Sequence, residues 1–219
     1  MHDFVGAGQS DCRTVGWRVV AVAALLSVCP IVRLSAQVSL HATIGARYST
    51  AIVHDSVVVP VDVQPAIGPA VTLSLREQTR GAWTPDANLD LSWASLQRHE
   101  SGSSTKINSV TTIAFTVGVR HAVTSGLTAR AGLGALKYLP AEKTGLFRDG
   151  SSISALGALS LDWTPMARAE REFGVSLRYD VHGFTTPALH AEGFTARQPV
   201  HRVSVGVTAR ILGKGASTP

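Results

Sequence analysis

The chain has 219 residues, 45% hydrophobic and only 16% charged, with a formal net charge of +5. The charged share is below the ~25% of soluble domains, yet no apolar run reaches the ~18 residues of a membrane helix; the longest, Val19–Val32, contains Pro30. The positive charge does not point to nucleic acid, because Lys106, Lys137, Lys143 and Lys214 are the only lysines and the arginines are scattered, whereas phosphate binding needs clustered cations.

The first segment reads as an address. Arg18 precedes the apolar stretch Val19–Val32, and Arg33–Ala36 ends in small residues. A basic flank, a short apolar core and a small-residue cut are the parts of a secretory signal. Residues 1–36 are therefore expected to be a signal peptide, cleaved near Ala36, although Leu34 is large for the third position before a cut. The flank carries Asp3 and Asp11 and is long, which fits a true start near Val15. Cys12 and Cys29 both precede the cut, and Val28 is not the small residue that comes before a lipid-modified cysteine. The mature chain, 37–219, would then hold no disulfide and no cysteine metal site.

Beyond Ala36 the dominant period is two, the alternation of a strand. The first run sets Val38, Leu40, Ala42, Ile44, Ala46 and Tyr48 against Ser39, His41, Thr43, Gly45, Arg47 and Ser49. Next come Val71, Leu73 and Leu75 against Thr72, Ser74 and Arg76, then Leu89, Leu91 and Trp93 against Asn88, Asp90 and Ser92. Ile113, Phe115, Val117 and Val119 oppose Thr112, Thr116, Gly118 and Arg120; Leu127, Ala129, Ala131 and Leu133 oppose Thr128, Arg130, Gly132 and Gly134. The sixth run is the shortest, with Leu159, Leu161 and Trp163 against Ser160 and Asp162. Phe173 to Val181 at odd positions oppose Gly174, Ser176, Arg178, Asp180 and His182, and Val203 to Ile211 oppose Ser204, Gly206, Thr208 and Arg210.

Eight runs predict an all-β, eight-stranded antiparallel up-and-down transmembrane β-barrel with both termini periplasmic. Strands of ~10 residues tilted by ~45° rise ~23 Å, close to the ~25 Å apolar band of such barrels. The outer loops are expected at 50–65, 97–107, 139–151 and 184–199, and the inner turns at 78–86, 121–126 and 164–171. A short tail, 212–219, follows the last strand.

A soluble barrel has the same alternation turned inside out, so the chemistry of the polar face must decide. That face holds Ser, Thr, Gly, Asn, His and about one Arg or Asp per strand, with no Lys and no Glu. Such a face suits a narrow interior in which charges are paired, and Arg offers a fork that holds several acceptors. Lipid requires the other face to be apolar, since Arg or Lys there costs ~2–4 kcal/mol at mid-bilayer. It also requires closure, because an open edge leaves backbone groups unpaired. A slip of one residue in the first strand would turn Arg47 into lipid. Tyr48, Trp163, Phe173 and Phe184 are candidates for interfacial girdles.

These runs resemble the small eight-stranded outer-membrane barrels, such as the transmembrane domain of outer-membrane protein A and the outer-membrane protein W type, over residues 37–213. In the last strand, Ser204, Gly206, Ala209 and Ile211 resemble the signal read by the barrel-assembly machinery, although the chain does not end on an aromatic residue. The resemblance implies an outer-membrane location, with lipids, periplasmic chaperones and the assembly machinery as partners, and no cofactor.

Following each strand's direction, Arg76, Arg120, Asp162 and Arg210 are expected near the periplasmic end, with Asp90 and Arg130 slightly above and Arg47, Arg178, Asp180 and His182 higher. The expected function is a structural or surface-interacting barrel whose lumen is plugged by this network. Three alternatives stand beside it. Four Arg against two Asp in the lower lumen would suit a narrow anion-preferring channel. A lipid-modifying enzyme would draw on His182 and Asp180, with His41 and Ser39, or on the His54–Ser56 spacing. A soluble secreted or periplasmic barrel would bind a small ligand. The loop from His190 to Arg197, with Phe194, is a further candidate for surface contact. No phosphate-binding glycine loop or metal-ligand spacing stands out.

Overall fold

The computed structural model describes residues 38–55, 61–77, 83–167, 172–193 and 196–213. The expected signal segment 1–36, Ser56, Phe194 and tail residues 214–219 lie outside them. Ten strands form one antiparallel sheet: β1 (Val38–Ser49), β2 (Val53–Asp55), β3 (Val61–Pro65), β4 (Gly68–Glu77), β5 (Trp83–Glu100), β6 (Ser103–Thr124), β7 (Leu127–Pro140), β8 (Ile153–Ala167), β9 (Glu172–Phe184) and β10 (Gln198–Leu212). β1 bonds to both β4 and β10, and β5 to both β4 and β6, so eight strands, β1 and β4–β10, close into a ring. β1 and β10 begin and end at one rim, called here the terminal end; the opposite rim is the loop end.

The alternation resolves as the medium of the membrane requires. Ile44, Phe115, Leu133 and Val207 point outward and are 65, 52, 73 and 61% exposed, whereas Asp90, Thr116 and Asp180 point inward and are fully buried. No helix among the described residues is long and apolar enough to cross a membrane, which says nothing of crossing by strands. β5 carries two outward tryptophans, Trp83 toward the terminal end and Trp93 toward the loop end, both exposed. At ~3.3 Å per residue and ~45° of tilt they lie ~23 Å apart along the barrel axis, the height of the apolar band. Trp83 stacks on His121 of β6 with ring centroids 4.5 Å apart. Tyr48, Trp163 and Phe173 also face outward and are exposed.

Phe184 is a correction to the girdle. It is 2% exposed and points inward, because it shares the parity of His182, not that of Val181. It belongs to an apolar cap inside the loop end, with Ile52, Leu96, Val110, Leu136, Tyr138, Phe147, Leu156, Leu189 and Val200. Tyr138 and Phe147 both lie edge-on or tilted to Phe184, at 5.2 and 5.9 Å between centroids, a geometry aromatic quadrupoles favour. Two short elements of the connections complete the cap. A 3₁₀ turn at Gly145–Phe147 inserts Phe147. Helix α1 (Pro187–Ala191) inserts Leu189; Pro187 opens it, and the Thr186 hydroxyl caps it by accepting from the Leu189 N–H at 3.2 Å.

Several expected loops shorten accordingly. The outer loop at 97–107 is largely strand: β5 runs on to Glu100, β6 starts at Ser103, and Ser101 and Gly102 alone make the turn, both at positive φ (47 and 80°), as a two-residue hairpin turn requires. The loop at 50–65 contains β2 and β3, and β3 pairs with the end of β5 beyond the ring. The turn at 121–126 contracts to two residues after Thr124. β8 is 15 residues long, against the short run visible in sequence. Its first half, Ile153–Ala158, hides the alternation because its inward residues Leu156, which packs in the cap, and Ala158 are apolar and buried. Leu212 remains in β10, so the tail begins one residue later.

Candidate functional site

The inward side chains between the cap and the terminal end form two tiers of charge. The upper tier gathers residues from six strands. Both terminal nitrogens of Arg47 grip the Asp90 carboxylate, one of them at 2.7 Å, while Arg47 Nε donates to Ser204 Oγ at 2.7 Å. Arg202 Nη2 bridges Asp90 and Asp180 at 3.2 Å each, and its Nη1 reaches Thr112 Oγ1 at 3.5 Å. Thr72 Oγ1 donates to Asp90 at 2.8 Å, and Arg178 Nε to Asp180 at 2.7 Å. Ionised acceptors held by several donors at this burial are the condition under which a buried charge is tolerated. Above this tier Tyr138 Oη and His182 Nε2 are bonded at 2.8 Å, which joins it to the cap.

The lower tier is looser. Asp162 receives Arg76 at 3.0 Å and Arg120 at 3.3 Å. Asp86 receives Arg130 Nε at 2.7 and 2.8 Å, and Arg130 Nη2 donates to Thr116 Oγ1 at 3.0 Å. Arg210 faces Glu172 at 3.7 Å. Arg130 lies over Gly132: a Cβ there would meet its terminal nitrogens at 2.8 and 2.9 Å. Between the tiers lies a cavity of about 30 Å³, and a second, of about 20 Å³, lies beside Arg47 and Arg202.

Four placements differ from the sequence expectation. Asp90, expected low, sits in the upper tier, because β5 is longer than its visible run and the tilt of the sheet carries Asp90 across to Arg47. Arg202 and Asp86 were missed, although Arg202 is 1% exposed and touches both upper carboxylates. Each lies one alternation step before a run that began at Val203 or Asn88, and carrying the period one step back finds both. Glu172, at the start of β9, was missed for the same reason.

Neither His41 nor His182 assembles a hydrolytic centre. Arg76 Nη1 donates toward His41 Nδ1 at 3.3 Å, so the ring proton sits on Nε2, 3.1 Å from Ser39 Oγ; the Ser39 hydroxyl in turn donates to the Arg76 carbonyl at 3.4 Å. His41 therefore donates to the serine instead of accepting from it, and a cation stands where a triad places a carboxylate. His182 is at the cap, far up β9, with Tyr138 as its partner. His54 pairs with Asp62 on the β2–β3 hairpin, half exposed. Among the described residues no group of three or more His, Cys, Asp or Glu is placed to hold a metal ion.

The sequence matches no family model, and no curated protein matches it. Solved structures do match. The outer-membrane protein AlkL, determined in lipid bilayers, superposes over 84% of this chain and 94% of its own, with 11% identity and a TM-score of 0.50. The attachment invasion locus protein Ail of Yersinia pestis, solved with the heparin analogue sucrose octasulfate, covers 80 and 98% at 11% identity and a TM-score of 0.48. OprG from Pseudomonas aeruginosa covers 80 and 96% at 12% identity and a TM-score of 0.42. The chain thus has the fold of the small eight-stranded outer-membrane β-barrels, and its apolar exterior is the one that fold needs in lipid.

Proposed function

We propose that the protein is an integral outer-membrane barrel with a plugged lumen and a structural or surface-interacting role. The observation that supports this reading is the inward face itself. Two tiers of ion pairs and an apolar cap fill the bore, leaving cavities of about 30 and 20 Å³, each enough for one or two waters. A conducting path would have to break the six-strand upper tier and part the cap. Planar-bilayer recording of reconstituted protein tests the plug: a flat current is expected, and resolved unitary openings would replace this reading with the anion-path alternative.

In this reading the termini face the periplasm and the loop end faces outward. Residues 1–36 are removed near Ala36, and Ser204, Gly206, Ala209 and Ile211 address the chain to the barrel-assembly machinery after periplasmic chaperones deliver it. Two of those residues also have work inside the barrel: Ser204 receives Arg47, and a Cβ on Gly206 would lie 2.7 Å from the Ile44 carbonyl oxygen. The surface role rests on the loop end, where Val53, Val63, Ile107, Leu146 and Leu189, with Arg98 and Arg148, line an open hollow of about 620 Å³. Protease protection of intact cells tests the topology. A tag placed after Gly102 should be cut from outside, and a tag after Gly213 should not.

A further inference from the structure

The charges inside the barrel do not balance. In the upper tier three guanidinium groups, Arg47, Arg178 and Arg202, share two carboxylates, Asp90 and Asp180. In the lower tier Arg76, Arg120, Arg130 and Arg210 share Asp86, Asp162 and Glu172. Each tier therefore carries one surplus positive charge among the described residues. Protonating a carboxylate would only enlarge the surplus, and arginine does not give up its proton in proteins. The described residues cannot remove it.

The upper surplus has an address. Arg178 is 5% exposed; its Nε is held by Asp180, but its Nη1 and Nη2 are buried and meet no protein acceptor. The same is true of Nη1 of Arg130. Both side chains line the 30 Å³ cavity between the tiers, together with the hydroxyls of Ser74, Ser160 and Ser176. Asp86 and Asp162 line it as well, but each is already engaged by arginine. Buried charged donors left without an acceptor cost more than ordinary polar groups. The cavity is sized for about two waters, which admits a monatomic anion with a water and excludes phosphate or an organic acid.

We infer that the barrel encloses a single halide-sized anion between its two charged tiers, held by the terminal nitrogens of Arg178 and by Arg130. The ion completes the upper tier and acts as a structural counterion. It does not permeate, so the inference goes beyond a plugged lumen without requiring a channel.

Bromide is the probe. Crystals of the refolded barrel grown in bromide should show an anomalous scatterer within contact of Arg178 Nη1 and Nη2. Bromide confined to the exterior, or water alone in the cavity, would overturn the inference. Solution measurements give a second test. For one bound ion, each tenfold rise in chloride above its dissociation constant should lower the unfolding equilibrium constant about tenfold, against gluconate at equal ionic strength. No difference between the two salts would also overturn it. Asn88 lines the cavity with a buried, unpartnered Oδ1. Asn88→Asp supplies a fixed negative charge of the same shape, so it should abolish the chloride dependence. A variant that kept the full dependence would count against the site, and the bromide experiment on the unaltered protein does not depend on how this variant folds.

Discussion

The two halves of the barrel interior are built on the same strands by opposite means. Toward the terminal end the inward positions of all eight ring strands carry Arg or Asp, paired across the bore. Toward the loop end the inward positions of β5 to β10 carry Leu96, Val110, Leu136, Leu156, Phe184 and Val200, packed with Phe147 and Leu189 from the connections. The charged half specifies geometry: each carboxylate has its donors at fixed distances, and a shifted strand leaves a buried charge alone. The apolar half is more tolerant, since hydrophobic packing is non-directional and proportional to the area buried. The charged tiers sit where lipid surrounds the ring. The cap sits where β5 and β6, at 18 and 22 residues, extend beyond the ~9–11 residues that span a bilayer, and where water would otherwise enter the mouth.

The largest effect should come from the charged half. Asp90→Ala strips Arg47, Arg202 and Thr72 of their shared acceptor, and removing one partner of a buried pair costs about 3–5 kcal/mol. Equilibrium urea unfolding in phospholipid vesicles measures it; a loss below 1 kcal/mol would mean that the upper tier is water-relaxed and not a fixed network. The converse test places charge on the other face of the same strand. Val207→Arg, midway along β10 and 61% exposed, should lose about 2–4 kcal/mol in lipid. An unchanged unfolding curve would contradict the outward orientation.

In the apolar half the effects should be smaller and local. Leu189→Ala removes the anchor of α1 from the cap, and it should cost about 2 kcal/mol, the low end for Leu→Ala; the loss should register as faster amide exchange in 184–193 while the ring strands stay protected. Thr186→Ala removes only the helix cap and should cost about 1 kcal/mol, read as the same pattern of exchange at lower amplitude. If either variant instead loosened the whole ring, the cap and the charged tiers would be one cooperative unit and the contrast drawn between them would fail.

Where the inside face is polar and the outside apolar, the fold was legible residue by residue. Arg47, Arg76, Arg120, Arg178 and Arg210 all lie on the inward face that period two assigns them. Legibility ended where both faces are apolar. Leu156 and Ala158 in β8 offered no contrast with their neighbours, so β8 looked short, and in β7 the pattern inverts, with Leu136 and Tyr138 inside and Lys137 outside; Phe184, inward among such apolar residues, looked like a girdle residue. Asp86, Glu172 and Arg202 were lost to boundaries, each one step outside a run whose parity already included it. His41 and Ser39 were visible as a pair, but only the position of Arg76 showed that the proton lies on the wrong nitrogen for catalysis.

The sequence alone determined the all-β class, the number of strands in the ring and the outward direction of the greasy face, because alternation is a local property: a strand of period two in lipid has one workable orientation. Tertiary structure alone decided which arginine meets which carboxylate, that Asp90 belongs with Arg47 and not with Asp162, and that the connections fold inward to cap the mouth. Those outcomes depend on the tilt of the sheet, which brings together residues far apart in the chain and at different heights in their own strands, and no local period carries that information.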